Sequence, residues 1–578
     1  MRKHIVNSPR MRLLPLAAGL AIALAHGPLA NARSDGHGAP QFQHHQDEAG
    51  TDILTAGRRL HRQSPLTPEQ SWRNCRTIVV RNCNDHGSGT LRDAVASAGS
   101  GDTIDLGQLH CSAITLTSGA IDIAVDDLTI KGSRHHALRI DGNDADRVLS
   151  HFPPTAGTLT VSDLTIKNGR SVATSGYNNY GGCILANGAL TLKRVQITGC
   201  DLEAEGVAFG GGVYAYTGLT VTDSTISANT AHSSTVALGG GIFTRANATI
   251  SGTTISGNAA TAVSNGGGVV ASGGGVLGGA DLDMTDSAIT GNEVTASSSY
   301  AGAYYGAIAN VAGGLALGKL SLTRSTVSDN AARAINTASD AVAYSYAYSI
   351  GGGMRATSFM ISESTVSGNS TSAVASNPMG IAVEGSRGAG FTTLGTGDTP
   401  VVSVVNSTIS GNTSSRSETA LYPYGYCAGG GFFGNGGTLD LNNSTIAFNT
   451  AESGGGIFQY MTSGATAEST IVAKNSFATG GSDFDVGSAI SVTGANNLVM
   501  SSSADLTLPG GTLSADPRLA SLTDNGGPTL THALRSGSPA INAGNNVAGL
   551  RFDQRGHGFP RKVGHATDIG AFEKHGGH

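Results

Sequence analysis

The chain has 578 residues, of which 84 are glycine and 13% are charged, about twice the usual glycine share and half the usual charge. A formal net charge of −6, with no cluster of Lys or Arg, excludes the basic footprint of a nucleic-acid-binding protein or of one that docks on an anionic membrane. So many small, uncharged residues call for backbone packed close against backbone.

In chain order, residues 1–32 read as a secretory signal peptide. Arg2, Lys3, Arg10 and Arg12 precede the apolar run LLPLAAGLAIALA, and Ala30-Asn31-Ala32 offers a small-x-small cleavage site. Residues 33–74 lack apolar periodicity and read as a flexible leader, whose His37, His44 and His45 are either metal ligands or part of a solvated tail. No later segment approaches the roughly 20 apolar residues of a membrane helix. The mature chain is therefore expected outside the cytoplasm: extracellular, attached to the cell surface, or periplasmic. That compartment is oxidising, so the six cysteines are candidates for disulfides, with Cys83–Cys111 and Cys183–Cys200 the expected pairs. Cys75 and Cys427 are left without a short-range partner.

Residues 75–158 lead into a repeat that runs from about 159 to 490. Its units include LTVTDSTISANTA at 219–231, ATISGTTISGNAA at 248–260, FMISESTVSGNST at 359–371 and LDLNNSTIAFNTA at 439–451, with a glycine triplet between most successive copies. Leu219 and Val221 alternate with threonine as a half-buried strand requires, whereas Ile226 is out of phase, which demands a corner near Asp223-Ser224. A third strand starts at each triplet with Val213, Ile242, Met354, Phe432 or Ile457. Three short strands per coil, stacked coil on coil, predict an all-β parallel solenoid.

Stacking turns equivalent positions into columns. Asn229, Asn258, Asn292, Asn330, Asn369, Asn412 and Asn449 form one, read as a structural amide ladder at a left-handed corner, with Asn475 a further candidate. A second column at the first corner reads Asp163, Arg194, Asp223, Gly252, Asp286, Arg324, Glu363, Asn406, Asn443 and Glu468. It is either a set of exposed ion-pair ladders or a carboxylate cluster with catalytic capacity, and the interleaved arginines favour the former. Between the Asn and the next triplet the middle repeats lengthen, and the added residues carry Tyr300, Tyr304, Tyr305, Tyr344, Tyr346, Tyr348, Tyr422, Tyr424 and Tyr426. In an extended strand Tyr344, Tyr346 and Tyr348 share a face. These nine rings are the candidate ligand surface, against the plainer reading that they only cover the base of the insertions. Residues 551–573 concentrate Arg551, Asp553, Arg555, Arg561, Lys562, Asp568 and Glu573, which reads as a polar cap on the solenoid end.

The alternation of [IV]xxN with GGG[IV] resembles the parallel β-helix repeats of pectin-lyase-like folds, and TIAFNTAESGGGIF is similar to repeats of bacterial polymorphic outer-membrane proteins. TIVVRNCNDHGSGTLRDAVASAGSGDTIDL at 77–106 resembles the opening segment of secreted bacterial β-helix proteins. DNGGPTLTHALRSGSPAINAG at 524–544, with DQRG at 553–556 and DIGAFE at 568–573, resembles a choice-of-anchor Q domain. The resemblance implies a right-handed β-helix, as does the general crossover rule. It also implies a C-terminal region over 491–573 that acts as a cap, followed by a tail at 574–578 in place of that family's anchoring segment.

Resemblance to pectate-lyase-type folds places chemistry on or beside the strands that start at the triplets. Those strands carry Arg245 and Arg355 but no Asp or Glu. A calcium-dependent lyase needs several carboxylate oxygens, and a hydrolase needs two carboxyl groups. Asp281 with Asp283, or Asp483 with Asp485, are the pairs that could be recruited. The expectation is a secreted or cell-surface recognition or adhesion protein without catalytic, metal or cofactor residues, its ligand a glycan or a surface protein. The alternative is a polysaccharide lyase or glycoside hydrolase.

Overall fold

The computed structural model describes residues 75–300, 306–338, 344–393, 399–460, 463–478 and 481–575. The expected signal peptide and leader, with His37, His44 and His45, lie outside them. So do Tyr304 and Tyr305, and the side chains of Tyr422 and Tyr424. The described chain is a parallel β-helix. A broad face of 26 strands holds the two strands on either side of the first corner, such as Gly218–Thr222 and Thr225–Ser227. A face of 12 strands starts at the glycine triplets, as at Val213–Ala215, and 14 further strands come from the residues between each Asn and the next triplet. Pairing between coils is parallel and in register, Leu219 opposite Ala248 and Ile226 opposite Ile255. The inward columns Leu282, Leu320, Phe359 and Ile289, Val327, Val366 are fully buried in one continuous core.

Each coil bends where a residue takes the left-handed conformation. Asp163, Arg194, Asp223, Asp286, Arg324, Glu363, Asn406 and Asn443 hold the first corner at φ between 43° and 58°. Ser469, not Glu468, continues that column, because Glu468 is the last residue of its strand and pairs with Asn442. At the second corner the left-handed residue is the one before the ladder Asn: Ala228, Gly257, Gly291, Asp329, Gly368, Gly411, Phe448 and Lys474. The asparagines thus do not make the turn. They stabilise it from inside.

Asn229 Nδ2 donates to Asn258 Oδ1 at 2.9 Å, and the same bond repeats through Asn292, Asn330, Asn369, Asn412, Asn449 and Asn475. Each Oδ1 also accepts the backbone N–H of the preceding ladder Asn, as Asn292 Oδ1 does from Asn258 N–H at 3.0 Å. The row starts where Cys200 N–H donates to Asn229 and ends on Asp483 Oδ1. The third residue of the triplet must be glycine because the amides pack against it: a Cβ on Gly353 would lie 2.4 Å from Gly390 O and 3.0 Å from Asn369.

The residues between Asn and triplet run outward and return, forming a lateral fin of two walls. Its outgoing strands lengthen from Arg170–Ala173 through Ala259–Ser264 to Ala331–Thr337. The last two coils cross the fin in single strands, Ser370–Arg387 and Thr413–Ala428. Small side chains fill the space between the walls, among them Ala262, Ala296, Ala334, Ala347 and Ala373. Ser349 Oγ reaches across to Ala332 O at 2.8 Å, and Ser345 Oγ to Asn336 O at 3.1 Å. The walls are therefore closer than the roughly 10 Å of ordinary stacked sheets.

At the N-terminal end the helix Leu91–Ala96, capped by Thr90, lays Leu91, Ala94 and Val95 on the core. Among the described residues no helix is long and apolar enough to cross a membrane. The cysteines form Cys83–Cys111 and Cys183–Cys200, with Cys75 and Cys427 free. After the last short turns, residues 519–573 do not lie across the end of the solenoid. They fold back as a strap along the broad face. Gln554 Oε1 accepts from Thr408 Oγ1, Leu530 O from Thr365 Oγ1, Asn545 O from Asn443 Nδ2, and His532 pairs with Ser410. Thr365, Thr408 and Thr445 are consequently buried, whereas Thr225, Thr254 and Thr326 at the same position in earlier coils are not. Where Ile471 and Leu498 replace that threonine, Ile569, Leu519 and Leu534 cover them.

Candidate functional site

The returning wall of the fin carries the tyrosines. In the strand Tyr344–Ile350, Ser345, Ala347 and Ser349 point into the fin, so Tyr344, Tyr346 and Tyr348 point out of it. Their rings follow one another at centroid distances of 5.6 and 6.3 Å, tilted by about 20°. Tyr344 is 38% exposed, and Tyr346 and Tyr348 are half-buried. Tyr348 pairs in register with Gly385, and Gly385 with Tyr426. A Cβ on Gly385 would lie 2.8 Å from the Tyr348 ring, so glycine leaves that ring room to lie over the neighbouring strand. The fin crest adds exposed Tyr300, Met379 and Leu421, the last two 55% and 62% exposed.

Most of the other candidate carboxylates are engaged by arginines or by backbone N–H groups. Asp163 accepts both nitrogens of Arg194 at 2.6 and 3.0 Å, and Asp286 those of Arg324 at 2.7 and 2.8 Å. Each arginine's hydrogen bonds hold its partner carboxyl below the usual range. A groove of about 590 Å³ beside the first of these pairs is lined by Arg134, His135, His136, Asp163, Arg194 and Asp223. Asp281 and Asp283 are exposed on the broad face, where Asp281 accepts Lys319 N–H. Asp483 and Asp485 are buried, the first closing the asparagine row and the second accepting Gly454 N–H.

Of two further charged clusters, the first stands out only in the structure, and the second is the charge-dense stretch 551–573 of the sequence. In the last fin coils Arg416 binds Glu384 at 2.6 Å, Glu418 at 2.8 Å and Glu452 at 2.7 Å. Burial, then the hydrogen bond with Glu418, pushes the Glu384 carboxyl up to about 8 despite Arg416. Glu384 stands in register with Ala347 and Arg416 with Ala373, so the cluster plugs the open end of an alanine-lined interior. The sequence signal was an inward charge in an alanine column, visible only once the register is known. In the strap, Asp553 holds Arg555, which lies between the rings of Phe559 and Phe572 at 4.0 and 3.9 Å. Glu573 accepts the backbone N–H of Val563 and Asp568, and burial pushes it up to about 7. DQRG and DIGAFE are thus the knot that closes the strap.

No family model matches the chain, and no curated protein or solved structure matches it. The architecture itself defines the class: a parallel β-helix with a lateral two-walled fin.

Proposed function

We propose that the protein is exported and acts outside the cytoplasm as a recognition or adhesion protein, with the outer tyrosine wall of the fin as its binding surface. The observation that carries this reading is the row of Tyr344, Tyr346 and Tyr348, aligned and turned outward on a strand whose other side is locked by alanine and serine. Rigid amphipathic rings on a stiff strand offer contact area at low entropic cost. Two disulfides fit an oxidising compartment. The likeness of the repeats to polymorphic outer-membrane proteins, and of the C-terminal motifs to choice-of-anchor Q domains, supports a place at the bacterial surface. A glycan is the favoured ligand class, a surface protein the second.

The test is co-elution of the purified chain from Arg33 onward with a panel of neutral and acidic polysaccharides, following polymer length at the same time. Binding without shortening is expected, with Tyr346→Ala weakening it about tenfold, the size of a lost aromatic anchor, at unchanged melting temperature. Shortened polymer would instead establish the lyase or hydrolase reading. Unaltered binding by Tyr346→Ala would remove the wall from the account.

A further inference from the structure

The base of the tyrosine wall meets the triplet face in a concave corner. In the early coils this corner is packed with Tyr180, Phe209, Tyr214, Phe243, Leu277 and Leu315. Further along, Arg355 takes the place of Leu315 and Arg387 that of Ile350, each in register. Arg355 is 9% exposed. Its Nη1 donates to Asn310 Oδ1 at 2.7 Å, and its Nε is buried without a hydrogen-bond partner. The Arg387 guanidinium lies 4.2 Å from the centroid of Tyr426 and 5.5 Å from that of Phe433, and its Nε is likewise buried and unpaired. Among the described residues neither arginine has an ion-pair partner. Glu384, on the same strand as Arg387, lies in register with Ala347 on the inner side of the fin and pairs there with Arg416 through Oε1.

Placing two cations where leucine and isoleucine would pack is costly unless a counter-charge joins them. Burial and the charge of Arg387 pull Arg355 down to about 10, and burial does the same to Arg387, so both remain charged at neutral pH. Stacking on Tyr426 and Phe433 uses the flat faces of Arg387 and leaves its edge donors free.

We propose that Arg355 and Arg387 form an oxyanion site that takes a carboxylate or sulfate ester group of a ligand lying on the tyrosine wall. The oxyanion site stands on the two arginines alone, and its link to a glycan chain rests on the recognition reading above. Tyr348 and Tyr426 border the arginines, so a sugar stacked there would direct an acidic substituent into the corner.

The experiment measures melting temperature and affinity with sodium sulfate and sodium acetate against chloride at equal ionic strength, then with dextran sulfate and polygalacturonate against neutral dextran. Oxyanions are expected to stabilise the wild type where chloride does not, and the acidic polymers to bind about tenfold or more tighter than dextran, as charge-assisted bonds allow. The sulfate arm or the carboxylate arm, whichever is stronger, names the group. Arg355→Gln and Arg387→Gln should lose the oxyanion response while the ligand-free protein melts no lower, since each removes an uncompensated charge. If a Gln variant does not fold, Arg387→Lys keeps the charge but not the fork and should weaken binding. Equal response in wild type and variants, or none to any oxyanion, overturns the site. Binding of neutral dextran through Tyr346 without preference for the acidic polymers would overturn it while leaving recognition intact. An oxyanion response that Tyr346→Ala does not change, with no polymer bound, would keep the site and remove the glycan.

Discussion

Ala228 and Gly257 occupy the same corner one coil apart, at φ of 54° and 61°. Alanine in the left-handed region costs about 1–2 kcal/mol, partly offset by the greater freedom glycine loses on folding. Ala228 is exposed, so its methyl group contributes no packing there. Ala228→Gly should therefore stabilise the protein by about 0.5–1 kcal/mol, read as a raised denaturant midpoint at unchanged m-value. A loss of stability would mean that this corner is not strained. Val311 shows the contrast: it sits at φ 52° where other coils have the first triplet glycine, but it packs on Leu277 and Leu315, so glycine there would forfeit buried contact.

The fin is the element whose edge is open. Thr413–Ala428 is paired along its length with Ser370–Arg387, but on its other side only Thr413 and Ala428 form bridges, to Thr450 and Ser453. Pro423 and the inward pair Arg416 and Glu384 are the features expected to discourage a further strand from adding there. Glu384 holds its proton well above the ordinary 4.5. Between about pH 5 and 8 the native state thus keeps a proton that the unfolded chain has released, and this contribution is full in acid and lost as pH rises through 8. Melting curves across that range should show wild type falling relative to Glu384→Gln. Parallel curves would place Glu384 in its ionised form throughout. Much of this was legible beforehand: the [IV]xxN and triplet spacing marks the coils, and alternation sets Tyr344, Tyr346 and Tyr348 on one face. The two-walled fin was not, because alanine and serine inside and serine and threonine outside give almost no hydrophobic contrast. Arg355 could be seen on a triplet strand, but its lack of a partner depends on Arg387, Asn310 and the wall arriving from other coils.

At the scale of the whole molecule the strap ties residues far apart in sequence, Gln554 reaching Ser364 across 190 positions, and no local pattern announces such a contact. One of its ties can titrate. His532 Nδ1 donates to Ala520 O at 2.7 Å, which leaves Nε2 to accept from Ser410 Oγ at 2.8 Å, and burial holds the imidazole below its ordinary 6.5. The neutral ring is the one that fits, so the tie is full above pH 6.5 and is lost as pH falls through the lower folded value. Hydrogen exchange at pH 7 and pH 5 should show protection dropping in Leu519–Leu534 while core strands such as Thr365–Ser367 keep theirs. Equal protection at both pH values would show that this tie does not hold the strap. The asparagine row has a consequence of another kind. Every asparagine in it both gives and takes a hydrogen bond, so it works as a propagating monomer, extending the row by one coil. Cys200 supplies only a backbone N–H and acts as the initiator. Asp483 is the chain terminator: its Oδ1 accepts from Asn475 Nδ2, but where the next amide nitrogen would donate it carries a second oxygen, which accepts from Ser501 Oγ instead. The number of coils in the row is thus written in where one carboxylate replaces one amide.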